Sequence, residues 1–103
     1  LDPVKTLIFD EIDTGISGSV SSKVAELMDQ MSKNMQVIVI THTPQVASKG
    51  DFHYKVFKKE VENKIITDIK LLNDKERVKE IAEMLSGDKS NKSANELANE
   101  LLN

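Results

Sequence analysis

Cysteine is absent from the 103 residues, which excludes a disulfide framework, a thiolate nucleophile and a cysteine-based zinc site. That absence fits a protein of the reducing cytoplasm. No apolar run approaches the roughly 20 residues of a membrane-spanning helix, and the N-terminus lacks the basic-then-apolar pattern of an export signal, so no membrane partner is expected. A basic excess is missing as well. The net charge of -3 argues against a surface that binds nucleic acid over its whole extent, while leaving room for a local patch. Internal repeats, low-complexity tracts and heptad runs longer than a few turns are all lacking. No Gly-x-x-x-x-Gly-Lys-Ser/Thr sequence occurs, so the chain does not carry the backbone cradle and lysine that hold the β and γ phosphates of a nucleoside triphosphate. At this length the chain forms at most one small domain with a modest core, or part of a larger one.

Among what is present, the stretch from Thr6 to Ser17 is the most informative. Thr6 to Phe9 are apolar or β-branched without polar alternation, which predicts a strand covered on both faces, as in a parallel sheet flanked by helices. Parallel strands present function at their carboxyl ends, and this one runs into two adjacent carboxylates, Asp10 and Glu11. On strand geometry the two point in different directions and can do two jobs. If the substrate is a nucleoside triphosphate, Asp10 can fix a hydrated Mg2+, which is commonly held by one or two carboxylates plus phosphate oxygens. Glu11 then faces the attacking water, which a carboxylate within hydrogen-bond reach can orient and deprotonate. The plainer reading makes the pair the start of a solvated loop that caps the next helix.

Along the rest of the chain the punctuation is clear. Pro3 keeps the first strand to about Lys5 to Phe9. Gly15 and Gly18 bracket a turn, and Ser17 is placed to cap a helix running to about Lys33, with Val20, Val24, Leu27, Met28 and Met31 as its apolar stripe. The methionines there read as core filler. Gln36 to Ile40 predicts a second buried strand. A strand, helix and strand in this order make a parallel βαβ unit, so Thr41-His42 leaves the sheet on the same side as Asp10-Glu11. An imidazole there can donate to a terminal phosphate oxygen, although a histidine taken alone is more often an ordinary polar residue at a strand end. Pro44 suits the first turn of a short helix closed by Gly50. Phe52, Tyr54 and Val56, then Ile65, Thr67, Ile69 and Leu71, alternate as two half-buried strands joined at Glu62-Asn63. Lys55, Lys58, Lys59 and Lys64 make that hairpin's tip basic, as solvated edges often are. Val78, Ile81, Ala82 and Leu85 mark a helix after Asn73-Asp74 that ends at Gly87. Ser93 to Glu96 has the capping-box pattern, and Leu97 and Leu101 then share a face.

The combination of Leu7-Ile8-Phe9-Asp10-Glu11, a glycine-containing loop, a helix, an apolar strand and His42 resembles the last part of an ATP-binding-cassette ATPase head. More narrowly, the run from Ile8 to Gly18 together with Ile40-Thr41-His42-Thr43-Pro44-Gln45-Val46-Ala47 resembles the RecN family. That family belongs with the ATPases related to structural maintenance of chromosomes (SMC) and is linked to recombinational repair of DNA double-strand breaks. The likeness runs on through Arg77, Glu80-Ile81-Ala82 and Met84-Leu85-Ser86-Gly87 and covers essentially the whole chain.

The resemblance implies an α/β fold, the C-terminal part of a P-loop NTPase head, with residues 1–103 forming one lobe: a parallel βαβ core, a β-hairpin and two C-terminal helices. It implies ATP and Mg2+ as cofactors, with Asp10 as the Walker B aspartate serving the metal through water. Glu11 becomes the catalytic base and His42 the switch histidine near the γ-phosphate. Asp13, Gly15 and Ser17 lie on the loop that crosses between two heads, and with Gln45 they count among the nucleotide-binding residues. Many cassette ATPases carry an aspartate where this chain has Ser17, a serine that suits the RecN pattern. The Walker A loop, the signature motif and the coiled coil are all missing. Three partners are therefore expected: an N-terminal half of the head carrying Walker A, a second head bound by dimerisation, and DNA contacted through the intact protein. The chain alone is expected to be inactive, and the intact protein to work in the bacterial cytoplasm at the nucleoid.

Other readings stay open on the residues themselves. Asp10-Glu11-Ile12-Asp13 also fits a helicase-type NTPase, although Thr-His-Thr-Pro after the second strand does not match that class. An aspartate ending a parallel strand also suits a phosphoacceptor domain. A non-catalytic interaction module would leave the acids and His42 as passive surface.

Overall fold

The computed structural model describes residues 6–10, 18–87, 89 and 91–103. The two continuous apolar runs form the parallel pair that they predict, β1 (Thr6–Asp10) and β2 (Gln36–Ile40), joined through helix α1 (Gly18–Met31). Their register sets Thr6 against Gln36 and Asp10 against Ile40, and Thr6 Oγ1 donates to Gln36 Oε1 at 3.0 Å. The first strand therefore includes Asp10, one residue more than the apolar run suggests. The expected Lys5 start and the Ser17 cap lie outside the described residues.

One face of this pair is covered. Phe9, Val37 and Val39 pack on a cluster of Ala25 and Met28 from α1 and Val46 from the short helix α2 (Pro44–Ala47). The opposite face is open, with Ile8 65% exposed and Ile38 and Ile40 also exposed. This corrects the expectation of a strand covered on both sides: the apolar run records two faces that can be covered, and the described residues supply helices to one of them. The stripe of α1 also differs from the one expected. Ser21, Ala25 and Met28 are buried while Val20 and Leu27 face outward, Leu27 at 61% exposure. The small side chains at 21 and 25 share a helix face with Met28 and let α1 lie close to α2 and the sheet. A pattern scored on large apolar residues misses that.

The hairpin forms as expected from β3 (Tyr54–Val61) and β4 (Lys64–Leu71). Its two-residue turn, Glu62-Asn63, has φ of 50° and 64°, both positive as the twist of a tight hairpin requires. Its orientation corrects the apolar alternation. Lys55 and Phe57 are half-buried, whereas Tyr54, Val56, Ile65, Ile69 and Leu71 are exposed, Val56 at 65%. The face carrying Lys55 and Lys70 is the one towards the next helix, with ion pairs from Lys55 to Glu80 at 2.6 Å and from the exposed Lys70 to Glu76. Lys59 pairs with Asp68 of its own hairpin at 2.7 Å, which neutralises part of the expected basic tip.

Helices α3 (Asp74–Ser86) and α4 (Lys92–Leu102) close the described chain. Asn73 and Glu76 form a reciprocal capping box at the start of α3, with Glu76 N donating to Asn73 Oδ1 at 2.8 Å and Asn73 N to Glu76 Oε1 at 3.1 Å. Gly87 ends the helix in the left-handed region at φ 74°, a conformation that glycine adopts without steric penalty. The expected capping box at Ser93 is corrected. Asn91 is the cap, accepting from Ala94 N at 2.8 Å, and Ser93 already lies in the first turn. The asparagine oxygen caps its own third residue, so the helix starts two residues earlier than a cap at Ser93 would start it. Ile81, Ala82, Ala94 and Ala98 form the core between α3 and α4, with Leu85 and Leu101 against it. Leu97 and Leu101 are one turn apart on α4, with Leu101 partly buried against the core and Leu97 more exposed at 45%. Among the described residues no helix is long and apolar enough to cross a membrane.

Candidate functional site

The candidate site is built where the two parallel strands stop. Asp10 is the last residue of β1 and is exposed, level in register with Ile40, the last of β2. Thr41, His42 and Thr43 leave β2 on that same rim, with His42 exposed between two half-buried threonines. The threonines shape the exit. Thr43 N donates to Thr41 Oγ1 at 3.1 Å, and the two hydroxyls lie 3.2 Å apart. This local side-chain to backbone bond turns the chain out of the strand in place of the next ladder bond.

Pro44 then starts α2, a single turn whose Val46 is buried against Ala25 and Met28. Gln45 follows Pro44 and is half-buried. A Cβ placed on Gly18 would lie 3.7 Å from Gln45 Nε2, so the Gln45 amide lies over the first residue of α1. The rim thus gathers Asp10, His42, Gln45 and the N-terminus of α1. Glu11, Asp13, Gly15 and Ser17, the other expected site residues, lie outside the described residues.

The donor set can be compared with the expected metal. Among the described residues no group of three or more His, Asp or Glu side chains is placed to hold an ion. A single exposed carboxylate at Asp10 fits Mg2+, which keeps most of its water and needs only one or two carboxylates beside phosphate oxygens. An amide at Gln45 and an imidazole at His42 add a donor and a titratable group on the same rim, and an oxyanion can use both.

A second polar centre lies behind α2, and sequence reasoning missed it. Arg77 of α3 is half-buried, and its Nη2 donates to the carbonyls of Ala47 at 3.0 Å and Ser48 at 3.3 Å and to that of Gly50. The first two are carbonyls at the end of α2, which lack a partner within the helix, and the third lies in the loop that follows. Arg77 reaches back 27 to 30 residues for them, and no local motif encodes so long a reach. His53 sits beside it, half-buried, with Nδ1 buried and lacking a hydrogen-bond partner. Burial, helped by the positive charges of Arg77 and Lys55 and opposed by Glu80, holds the His53 imidazole below its ordinary value of 6.5.

That shift predicts an acid-sensitive fold. Below 6.5 the unfolded chain takes up a proton at this position that the folded chain resists, so stability is complete above 6.5 and falls as pH drops through it towards the lowered folded value. Asp68 and Glu76, held low by Lys59 and Lys70, release their stabilisation only below the ordinary carboxylate values of 3.8 and 4.5. Urea midpoints measured between pH 7.5 and pH 5, on the order of one unit either side of the histidine range, should fall with acidity in the parent and much less in His53→Gln. Equal slopes in both would remove His53 from the effect.

No protein-family model matches the chain. Curated relatives do. It is 48% identical over 97 residues to the DNA repair protein RecN of Rickettsia conorii, 43% over 99 residues to that of Halalkalibacterium halodurans, and 42% over 102 residues to that of Xylella fastidiosa. These matches take in 94%, 96% and 99% of this chain, which spans 18% of the length of each relative. Among solved structures, an SMC ATPase studied for ATP-driven dimerization and DNA-stimulated activation superposes with a TM-score of 0.64 at 23% identity, covering 81% of this chain and 49% of that one. The SMC head domain from Pyrococcus yayanosii, with its coiled coil and joint, gives 0.61 at 20% identity over 80% of this chain and 14% of its own. The fold is therefore that of part of an SMC-type head.

Proposed function

We infer that this chain, which belongs with the RecN DNA repair proteins over the segment that they share, is the C-terminal lobe of their ATPase head. In the intact protein it supplies the hydrolytic side of a site that converts ATP and water to ADP and phosphate. The observation that carries this reading is the parallel register of β1 and β2, which sets Asp10 level with Ile40 and so brings His42 to the same rim.

Asp10 would hold the hydrated Mg2+, whose charge would offset that of the phosphate oxygens. Glu11, next along the chain, would orient the attacking water and take its proton. His42 would donate a hydrogen bond to the terminal phosphate, where negative charge gathers during transfer. Gln45, and the run of Asp13, Gly15 and Ser17, would face nucleotide or the opposing head. The phosphate cradle must come from elsewhere, because its Gly-Lys-Ser/Thr loop does not occur in the 103 residues.

The open apolar faces support the same division of labour. Ile8, Ile38 and Ile40 on one sheet, and Tyr54, Val56, Ile69 and Leu71 on the other, are exposed. An N-terminal half of the head would remove them from water at about 25 cal/mol per Å2 of apolar area. DNA and a second head would engage that assembled unit, in the bacterial cytoplasm where strand breaks are repaired.

Asp10→Asn in the intact protein tests the metal role. ATP affinity titrated against magnesium should lose its metal-dependent gain by roughly ten- to a hundredfold, the range for weakening the outer contacts of a bound ion. Identical titrations for variant and parent would refute the assignment.

A further inference from the structure

We propose that Arg77 is a positioning residue that fixes the switch segment around His42 by holding the far end of α2. This rests on the reading of His42 given above. The bonds run without interruption. Arg77 Nη2 donates to Ala47 O at 3.0 Å; Ala47 N donates to Thr43 O at 3.0 Å; Thr43 N donates to Thr41 Oγ1 at 3.1 Å. A parallel branch passes from Arg77 to Ser48 O at 3.3 Å, and from Ser48 N to Pro44 O at 3.0 Å. His42 lies between the two threonines that end the first branch, and Gln45 O accepts from Ser48 Oγ at 3.1 Å.

A helix of one turn cannot hold itself, since nucleation fixes several residues for a single bond. Two external supports make up for this. Val46 is buried on α1, and Arg77 satisfies carbonyls that would otherwise end the turn unpaired. The guanidinium is suited to the task, because its planar fork offers several donors in fixed directions and keeps its charge when half-buried. Desolvation lowers its proton affinity while Asp51 and Asp74 oppose that. Arg77 also belongs to α3, whose Glu76 and Glu80 hold the hairpin, so the geometry at His42 is tied to a helix remote from the strand rim.

The test has two parts, each on Arg77→Met and on Arg77→Lys, the latter serving if the former fails to fold. In the 103-residue chain, hydrogen exchange at the Ala47 and Ser48 amides should speed up by roughly tenfold in Arg77→Met, the size expected from one charge-assisted bond. Exchange at Val37 and Val39 of β2 should be unchanged, and Arg77→Lys should fall between. In the intact protein, kcat for ATP should drop with KM within about twofold, the mark of a lost transition-state contact. Unchanged exchange at α2, or exchange that rises equally in β2, would overturn the proposal. So would faster exchange at α2 with an unaltered kcat, provided His42→Ala lowers kcat. If His42→Ala leaves kcat intact, the ATP-site reading is the one that fails, and the exchange data still decide whether Arg77 holds α2.

Discussion

Glu11→Gln in the intact protein should slow ATP hydrolysis by roughly a hundredfold to ten-thousandfold, the range for losing a positioned general base, while ATP binding persists. Glutamine keeps the size and the hydrogen-bonding oxygen of the side chain but cannot accept a proton from water. Asp10, which ends β1 immediately before it, keeps its carboxylate, so the metal-dependent part of binding should survive. The measurement is single-turnover hydrolysis at saturating nucleotide, which separates the chemical step from product release. A rate equal to the parent's would take Glu11 out of the chemistry. Loss of binding together with rate would mean that Glu11 serves the metal instead, reversing the division of roles between the two acids.

What the sequence made legible was whatever depends on neighbours along the chain. The parallel pair followed from two uninterrupted apolar runs at helix-crossing distance. The hairpin followed from Glu62-Asn63 between two alternating runs, where both residues take positive φ, and the end of α3 from Gly87. Once the strands were known to be parallel, the shared rim of Asp10 and His42 was a consequence of topology and needed no side-chain detail.

The faces of the elements were less legible, because a hydrophobic pattern says which residues can be buried and leaves open what buries them. Ser21 and Ala25 are buried on α1 for their small size, while the larger Leu27 faces water. On the hairpin the face with Lys55 and Lys70 lies towards α3, where Glu80 and Glu76 stand opposite them. Those partners come from a later helix and leave no trace in the strand alternation. The exposed Tyr54, Val56 and Ile69 keep the apolar alternation of a strand face even though nothing among the described residues covers them. Arg77 shows the same limit at the site, since its acceptors are backbone carbonyls that any sequence possesses.

Ile81→Ala should have the largest effect on stability, about 2 to 5 kcal/mol, as expected for emptying a fully buried aliphatic site. Ile81 is the one large side chain fully removed from solvent among the described residues. Its fully buried neighbours Ala82 and Ala98 cannot fill the space it leaves, and how far Met84, Leu85 and Leu101 around them relax sets where in that range the loss falls. Leu97→Ala, at a half-exposed position on the neighbouring helix, should cost less than about 1 kcal/mol by the same area argument. Urea denaturation of both variants measures the contrast. Equal losses would mean that the α3 and α4 contact is not the core. The consequence for function lies in where Ile81 sits: one helical turn beyond Arg77, on the same face of α3, with Ala47 of α2 packed against its cluster. A void there should loosen the seat of Arg77 as well, so exchange at Ala47 should rise beyond the global change in Ile81→Ala and not in Leu97→Ala. If it does not, the carbonyl bonds of Arg77 hold α2 without help from the core beneath them.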